Sequence, residues 1–155
     1  MLYEELLLEA EAKTIKVFEM DMPSTIKGLY SDNIVWINKN IPTRTEKACT
    51  LAEEIEHQQY STGDILAQND ISNLKQEKYA RSKAYEKLIP PSAFIAAHRL
   101  GIQNRHELAE HLGVTEEFLD NAIKRYQEKY GLGISLGFYT IIFEPLGVLE
   151  MFDFT

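Results

Sequence analysis

The order of strand-like and helix-like segments restricts the fold of this chain more than any other feature. Segments 14–20 and 34–39 are rich in β-branched and aromatic residues, which is typical of strands. Helix-like segments follow between residues 43 and 130, and residues 134–147 alternate enough to predict one or two closing strands. Because strands and helices are grouped along the chain and do not alternate, an α+β fold is favoured over a parallel α/β fold.

Turn and capping residues predict where these segments begin and end. Residues 31–33, Ser-Asp-Asn, favour a turn, so 27–39 is predicted to form a hairpin. Thr43 is followed three residues later by Glu46, a capping-box pattern that predicts a helix running to about residue 60. The two prolines at 90–91 are expected to stop a later helix, and Thr115 is expected to cap another.

Composition and charge exclude several classes of protein. The length of 155 residues fits about one domain with a small appendage. A formal net charge of −8 disfavours a general binder of nucleic acids or of anionic membranes. The single cysteine, Cys49, cannot form an internal disulfide, which fits a reducing cytosol. The acidic first residues and the lack of a run of about 20 apolar residues predict a cytoplasmic protein without a membrane segment.

The stretch Leu51-Ala-Glu-Glu-Ile-Glu-His57 carries an E-E-x-x-H pattern on the predicted helix at 43–60. Residues four apart share one helix face, so Glu53 and His57 can reach the same metal ion. Glu54, the residue after Glu53, lies roughly 100° further around the helix axis, close enough to act as a general base on a metal-bound water. Zinc accepts both carboxylate and imidazole donors, and a catalytic zinc site needs one further protein ligand from another element.

Spacing alone leaves a second interpretation open for this helix. The apolar stripe consists of Ala48, Leu51, Ala52 and Ile55. Glu53 and His57 lie nearly opposite that stripe, which fits a metal site facing a cleft and equally fits an ordinary solvated face. Two further options concern the chemistry: a reversed motif with Glu56 as the base, and a thiolate ligand from Cys49.

The next predicted helix supplies the candidate third ligand, Glu77. Its apolar stripe is formed by Ala80, Ala84 and Leu88, and Glu77 falls inside that stripe. A carboxylate facing the core is costly to desolvate unless it is paired or bound to a metal. Arg81, four residues later, offers an intrahelical ion pair as the alternative explanation.

Together these two helices resemble the ImmA/IrrE family of metallopeptidases, many of which are encoded by phages and mobile elements. The family pattern is an H-E-x-x-H helix followed by a helix of the form E-x-x-A-x-x-x-A-x-x-L-x-x-P. The second block is matched by Glu77, Ala80, Ala84 and Pro90, with Leu88 displaced by one position. The resemblance covers most of residues 14–90, and it departs from the family at Glu53, where the pattern has histidine.

The resemblance implies a zincin-like core with a small sheet at 1–90 and a helical segment with a closing hairpin at 91–155. Carried over by position, Glu54 is the catalytic base, and His57 and Glu77 are metal ligands, with Glu53 in the place of the first ligand. The implied metal is Zn²⁺. An extra carboxylate makes the site harder, so Mn²⁺ or Fe²⁺ are alternatives, and a site without metal also stays open.

The function that the resemblance implies is cleavage of a DNA-binding repressor, which relieves repression of a phage or mobile element. One rival is an inactive regulator that binds a repressor without cutting it. The other is a small helix-turn-helix DNA-binding protein, suggested by the two helices predicted within 104–130. That region has four basic residues against six acidic ones, a net charge of −2, which disfavours contact with a phosphate backbone. We therefore expect a protein partner and no direct binding of nucleic acid.

Overall fold

The computed structural model describes residues 2–60 and 70–150, with side chains at 70–73 left out. In order, the elements of this part are α1 (Leu2–Ala12), β1 (Lys16–Met20), β2 (Gly28–Ser31), β3 (Ile34–Asn38), α2 (Arg44–Tyr60), α3 (Asp70–Leu88), α4 (Pro91–Arg99), α5 (Arg105–Leu112), α6 (Glu116–Tyr130), β4 (Gly133–Leu136), β5 (Tyr139–Phe143) and β6 (Leu146–Glu150). Strands and helices are grouped as expected, so the α+β prediction is confirmed. Residues 61–64, Ser-Thr-Gly-Asp, are predicted from the sequence to end the helix at 43–60, and they lie outside the described part.

The chain divides into two compact units, Met1–Ala84 and Tyr85–Thr155. The division falls inside α3, whereas the sequence analysis places a boundary after Pro90. Assignment of the peptidase core to residues 1–90 therefore stays a prediction. Among the described residues, none of the helices combines the length and the apolar character needed to cross a lipid bilayer.

The first unit contains a three-stranded sheet with the strand order β1-β3-β2. Strands β2 and β3 are antiparallel with Gly28 opposite Ile37, which confirms the predicted hairpin. Asp32 and Asn33, the two turn residues, have φ angles of 28° and 63°, in the left-handed region that Asp and Asn tolerate best among residues with a side chain. Strand β1 pairs with β3 in parallel, which leaves β2 at the edge of the sheet.

Helix α2 packs against β2, β3 and α1. The core between them includes Val35, Ile37, Leu51 and Ile55, none of which has measurable exposure. Burying one such aliphatic side chain contributes about 1.5–3 kcal/mol to folding. The predicted apolar stripe of α2 is therefore confirmed. The helix begins as expected, because the Glu46 backbone N–H donates to Thr43 Oγ1 at 3.1 Å.

The second unit consists of α4, α5 and α6 with the sheet β4-β5-β6. The two prolines follow the end of α3, as predicted, and Pro91 is also the first residue of α4. At the first position of a helix, proline costs no hydrogen bond because the backbone N–H there has no partner within the helix. Thr115 Oγ1 accepts from the Phe118 N–H at 3.0 Å, which confirms the predicted cap of α6. Three closing strands are present where one or two were predicted: β4 and β5 form a hairpin, and β6 pairs with β5 beyond Pro145.

Candidate active site

A cleft of about 590 Å³ opens in the first unit beside the edge strand β2. The sheet side contributes residues 25–30, and the helix side contributes parts of α2 and α3. The helix residues that line it are Thr50, Glu53, Glu54, His57, Glu77 and Arg81. All four predicted site residues, Glu53, Glu54, His57 and Glu77, therefore face one cleft.

Glu54 and His57 form a buried polar pair on α2. Glu54 is only 9% exposed and His57 only 5%, so the interpretation of the face that carries Glu53 and His57 as an ordinary solvated one is wrong for His57. His57 Nδ1 lies 3.7 Å from Glu54 Oε2. Within the described part of the chain, Glu54 Oε2 and His57 Nε2 have no hydrogen-bond partner. A buried polar atom without a partner costs about 1–3 kcal/mol, so both atoms are suited to receive a ligand from the cleft.

Strand β2 holds these two side chains in place. The ring of Tyr30 meets the ring of His57 edge to face, with centroids 5.3 Å apart. Gly28 lies directly against Glu54, since a Cβ placed there would approach Glu54 Cγ to 2.9 Å and Thr50 Cγ2 to 3.1 Å. A glycine is therefore required for the strand backbone to come this close to the candidate base.

We expect Gly28→Ala to impair the site more than the fold. The added methyl group must push the Glu54 side chain aside, and overpacking of this kind costs about 1–3 kcal/mol of stability. A displacement of about 1 Å at a catalytic group can lower a rate by about 100-fold. The thermal unfolding midpoint and the rate of the peptide cleavage that the resemblance implies would be measured beside those of Gly147→Ala, where a Cβ meets nothing within 4 Å. A wild-type rate for Gly28→Ala would contradict this packing argument.

Glu53 is partly buried at the wall of the cleft. Burial raises the pKa of its carboxyl group, while the positive charges of Arg81 and Lys27 act in the opposite direction. Lys27 also pairs with Glu46, at 3.2 Å. Among the neighbouring charges, that of Arg81 lowers the pKa of Glu53 the most.

Glu77 and Arg81 reach the cleft from α3, and both are exposed. The expectation that Glu77 lies inside a core-facing stripe is therefore wrong, although Ala80 and Ala84 of that stripe are buried. One turn before Ala80, at Glu77, this face of α3 borders the open cleft and is no longer buried. The Glu77 carboxylate is thus open to solvent and does not need a partner to offset burial.

The donor chemistry of the cleft fits a metal ion. It offers an imidazole nitrogen without a partner on His57 and carboxylates on Glu53 and Glu77, which are donors that zinc, manganese and iron accept. Among the described residues, however, no three side chains of His, Cys, Asp or Glu already converge on one point. The helices thus bring the candidate ligands to one cleft without preforming a coordination sphere.

The part of the site that β2 contributes, Gly28 and Tyr30, is not predictable from the sequence, because a hairpin strand gives no signal of which helix it will contact. Arg81, expected only as an ion-pair partner of Glu77, also lines the cleft. The cleft lining given above includes neither Glu56 nor Cys49, both of which are buried. This placement favours Glu54 over the reversed-motif base Glu56.

Comparison with known families gives an independent result. A sequence profile described as the IrrE N-terminal-like domain matches residues 10–124, which include all four candidate site residues. No curated protein and no solved structure matches the chain at a significant level. The matched region covers most of the chain and contains both motif helices, so the resemblance noted from the sequence is confirmed. The chain belongs to the IrrE N-terminal-like family of peptidases, whose members are metallopeptidases.

Proposed function

We propose that this protein is a metal-dependent endopeptidase whose substrate is a DNA-binding repressor of a phage or mobile element. The observation that carries the proposal is that two buried atoms at the wall of an open cleft, Glu54 Oε2 and His57 Nε2, have no hydrogen-bond partner among the described residues. A purely structural polar pair would be expected to satisfy its own hydrogen bonds. Among the described residues, Glu4 Oε2 and Gln58 Oε1 are also buried without a hydrogen-bond partner, but of these four residues only Glu54 and His57 line the cleft.

Glu53, His57 and Glu77 would hold the metal, with zinc as the proposed ion. When bound, it would polarise the scissile carbonyl group and acidify water. Glu54 takes a proton from the attacking water as the water oxygen bonds to the carbonyl carbon. Glu54 then returns this proton to the leaving nitrogen as the carbon–nitrogen bond breaks. The products are a new carboxyl group and a new amine.

The edge strand β2 provides a place for an extended substrate. Among the described strands, β2 pairs only with β3, and residues 25–30 line the cleft. An extended peptide can add to such an edge through main-chain hydrogen bonds, with side chains alternating toward and away from the protein. An exposed segment of a repressor, such as a linker between its domains, would meet this requirement.

The test is incubation of purified protein, loaded with Zn²⁺, Mn²⁺ or Fe²⁺, with a panel of purified helix-turn-helix repressors from phages and mobile elements. Intact-mass spectrometry should show one repressor converted into two fragments whose masses add to the parent plus one water. Chelator-treated protein should leave the same repressor whole. Absence of fragments with every metal and every such repressor would refute the proposal.

A second candidate is a regulator that binds the repressor without cutting it. It is favoured by the lack of three converged ligand side chains among the described residues. The same experiment separates the two functions, because this regulator would form a stable complex with an uncut repressor. Direct DNA binding through α5 and α6 has weaker support. Helix α6 begins with Glu116 and Glu117, which would face phosphates with the wrong charge.

A further inference from the structure

The outer face of the first sheet carries a row of apolar side chains that reaches the edge strand β2. In the register of the sheet, Phe18 of β1 lies beside Trp36 of β3, and Trp36 lies beside Leu29 of β2. Residues paired across neighbouring strands point to the same face. Phe18 is 49% exposed and Leu29 47%, with Trp36 half-buried between them. The row therefore presents a continuous apolar surface to solvent.

Leu29 points away from α2, although it lies between two residues that contact this helix. Gly28, the residue before it, lies directly against Glu54. Tyr30, the residue after it, meets the ring of His57. Because successive side chains of a strand point to opposite faces, Leu29 points to the outer face of the sheet. It nevertheless belongs to the residues that line the cleft, since β2 forms the edge of the cleft.

The apolar row is open at its β2 end. Leu29 has an apolar neighbour, Trp36, on one side, and none of the described strands pairs with β2 on the other. A strand added to this edge would place one residue directly opposite Leu29, with Cβ atoms about 4.5–5.5 Å apart. An apolar side chain there covers the exposed flank of Leu29, whereas a charged one loses water without gaining a partner.

The size of the row fits a single added strand better than a second copy of the chain. Phe18, Met20 and Leu29 of the outer face are each about half exposed. At about 200 Å² for a full side chain, they present roughly 300 Å² of apolar surface. A stable dimer buries about 800 Å² on each partner. A patch of this size beside an open strand edge is suited to a peptide segment.

We propose that Leu29 is a specificity-determining residue: the β2 edge selects an extended peptide that carries an apolar side chain opposite Leu29. The neighbouring side chains of that peptide would point into the cleft, toward Glu54 and His57. The inference rests on the proposed function, because it names the substrate class of the same cleft. That class is a strand-forming segment with an apolar residue close to the bond that is cut.

The test is selection of a displayed library of random peptides on the immobilised whole chain, treated with chelator so that no peptide is cut. Sequences recovered on the wild type should carry Leu, Ile, Phe or Met at one position about two- to fivefold more often than the unselected library. Leu29→Glu should replace this preference by Lys or Arg at the same position. Leu29→Thr, which keeps strand propensity, should lose the preference without gaining a new one.

The matched control is Phe18→Glu, which adds the same negative charge at a similarly exposed position of the same face. Phe18 lies on β1, which β3 separates from the β2 edge, so this variant should select the same sequences as the wild type. Thermal unfolding midpoints would show that the variants compared are folded.

The outcomes separate this inference from the proposed peptidase activity. A sequence switch in Leu29→Glu alone supports the inference even if the metal-loaded protein never cuts a repressor. Identical sequences from the wild type and Leu29→Glu, or no recovery above the bare support, overturn it and leave repressor cleavage by the wild type unaffected. A wild-type dimer in sedimentation, dissociated by both Leu29→Glu and Phe18→Glu, would assign the row to a second copy and overturn it as well.

Discussion

Replacing Glu54 by glutamine should abolish cleavage of the repressor and leave the metal content of the protein nearly unchanged. The amide has the size of the carboxylate but cannot take a proton from water, and loss of a general base typically lowers a rate by about 10²–10⁴-fold. Glu54 is not one of the proposed ligands, so the zinc content measured by elemental analysis should stay close to that of the wild type. Cleavage would be followed by intact-mass spectrometry of the repressor.

The matched control for this substitution is Glu56→Gln, two residues along the same helix. Glu56 is also buried, at 3% exposure, but it does not line the cleft. We expect this variant to keep its cleavage activity, apart from any loss of stability seen in its unfolding midpoint. The opposite pattern, an inactive Glu56→Gln and an active Glu54→Gln, would transfer the catalytic role to Glu56.

Loss of a ligand should remove both the metal and the activity. His57→Ala deletes the only imidazole of the proposed set, and Glu77→Ala deletes the only ligand contributed by α3. Metal sites lose most of their affinity when one of three protein ligands is removed, so both variants should contain little zinc after dialysis. Elemental analysis and the cleavage assay would be run on the same samples.

Glu77→Ala is the cleaner of these two variants because Glu77 is exposed. An exposed substitution of this kind changes stability by about 0.5 kcal/mol or less, so loss of metal cannot be ascribed to unfolding. His111→Ala and Glu117→Ala, at exposed positions of the second unit, serve as matched controls and should retain zinc. Full zinc content in Glu77→Ala would remove this residue from the ligand set.

The parts of the fold that depend on local chemistry could be predicted from the sequence. The β2–β3 turn is specified by Asp32 and Asn33, which tolerate positive φ angles. The starts of α2 and α6 follow from Thr43 and Thr115, whose hydroxyl groups accept backbone hydrogen bonds three residues along. The spacing of Glu53 and His57 is equally local, so their place on one helix face was predictable, whereas the cleft that both line was not.

Contacts between distant segments account for what the sequence did not reveal. The approach of Gly28 to Glu54 depends on how a strand and a helix pack, and no spacing within either segment encodes it. The contact between the rings of His57 on α2 and Tyr30 on β2 also depends on how this strand and this helix pack. The exposure of Glu77 differs from the helical-wheel expectation because a wheel assumes that the core continues along the whole helix, whereas the cleft replaces it at this turn.

Strand β2 has a consequence for the accuracy of cleavage. One face of the strand positions Glu54 through Gly28 and His57 through Tyr30, and its outer edge is the proposed docking site for the substrate. A peptide paired with that edge is therefore held at a fixed offset from the base. Slipping by one residue would move each peptide bond by about 3.3 Å and reverse the orientation of every side chain. Backbone pairing with β2 would thus select a single peptide bond for hydrolysis. Side-chain pockets would then need only to reject peptides bound in a shifted register.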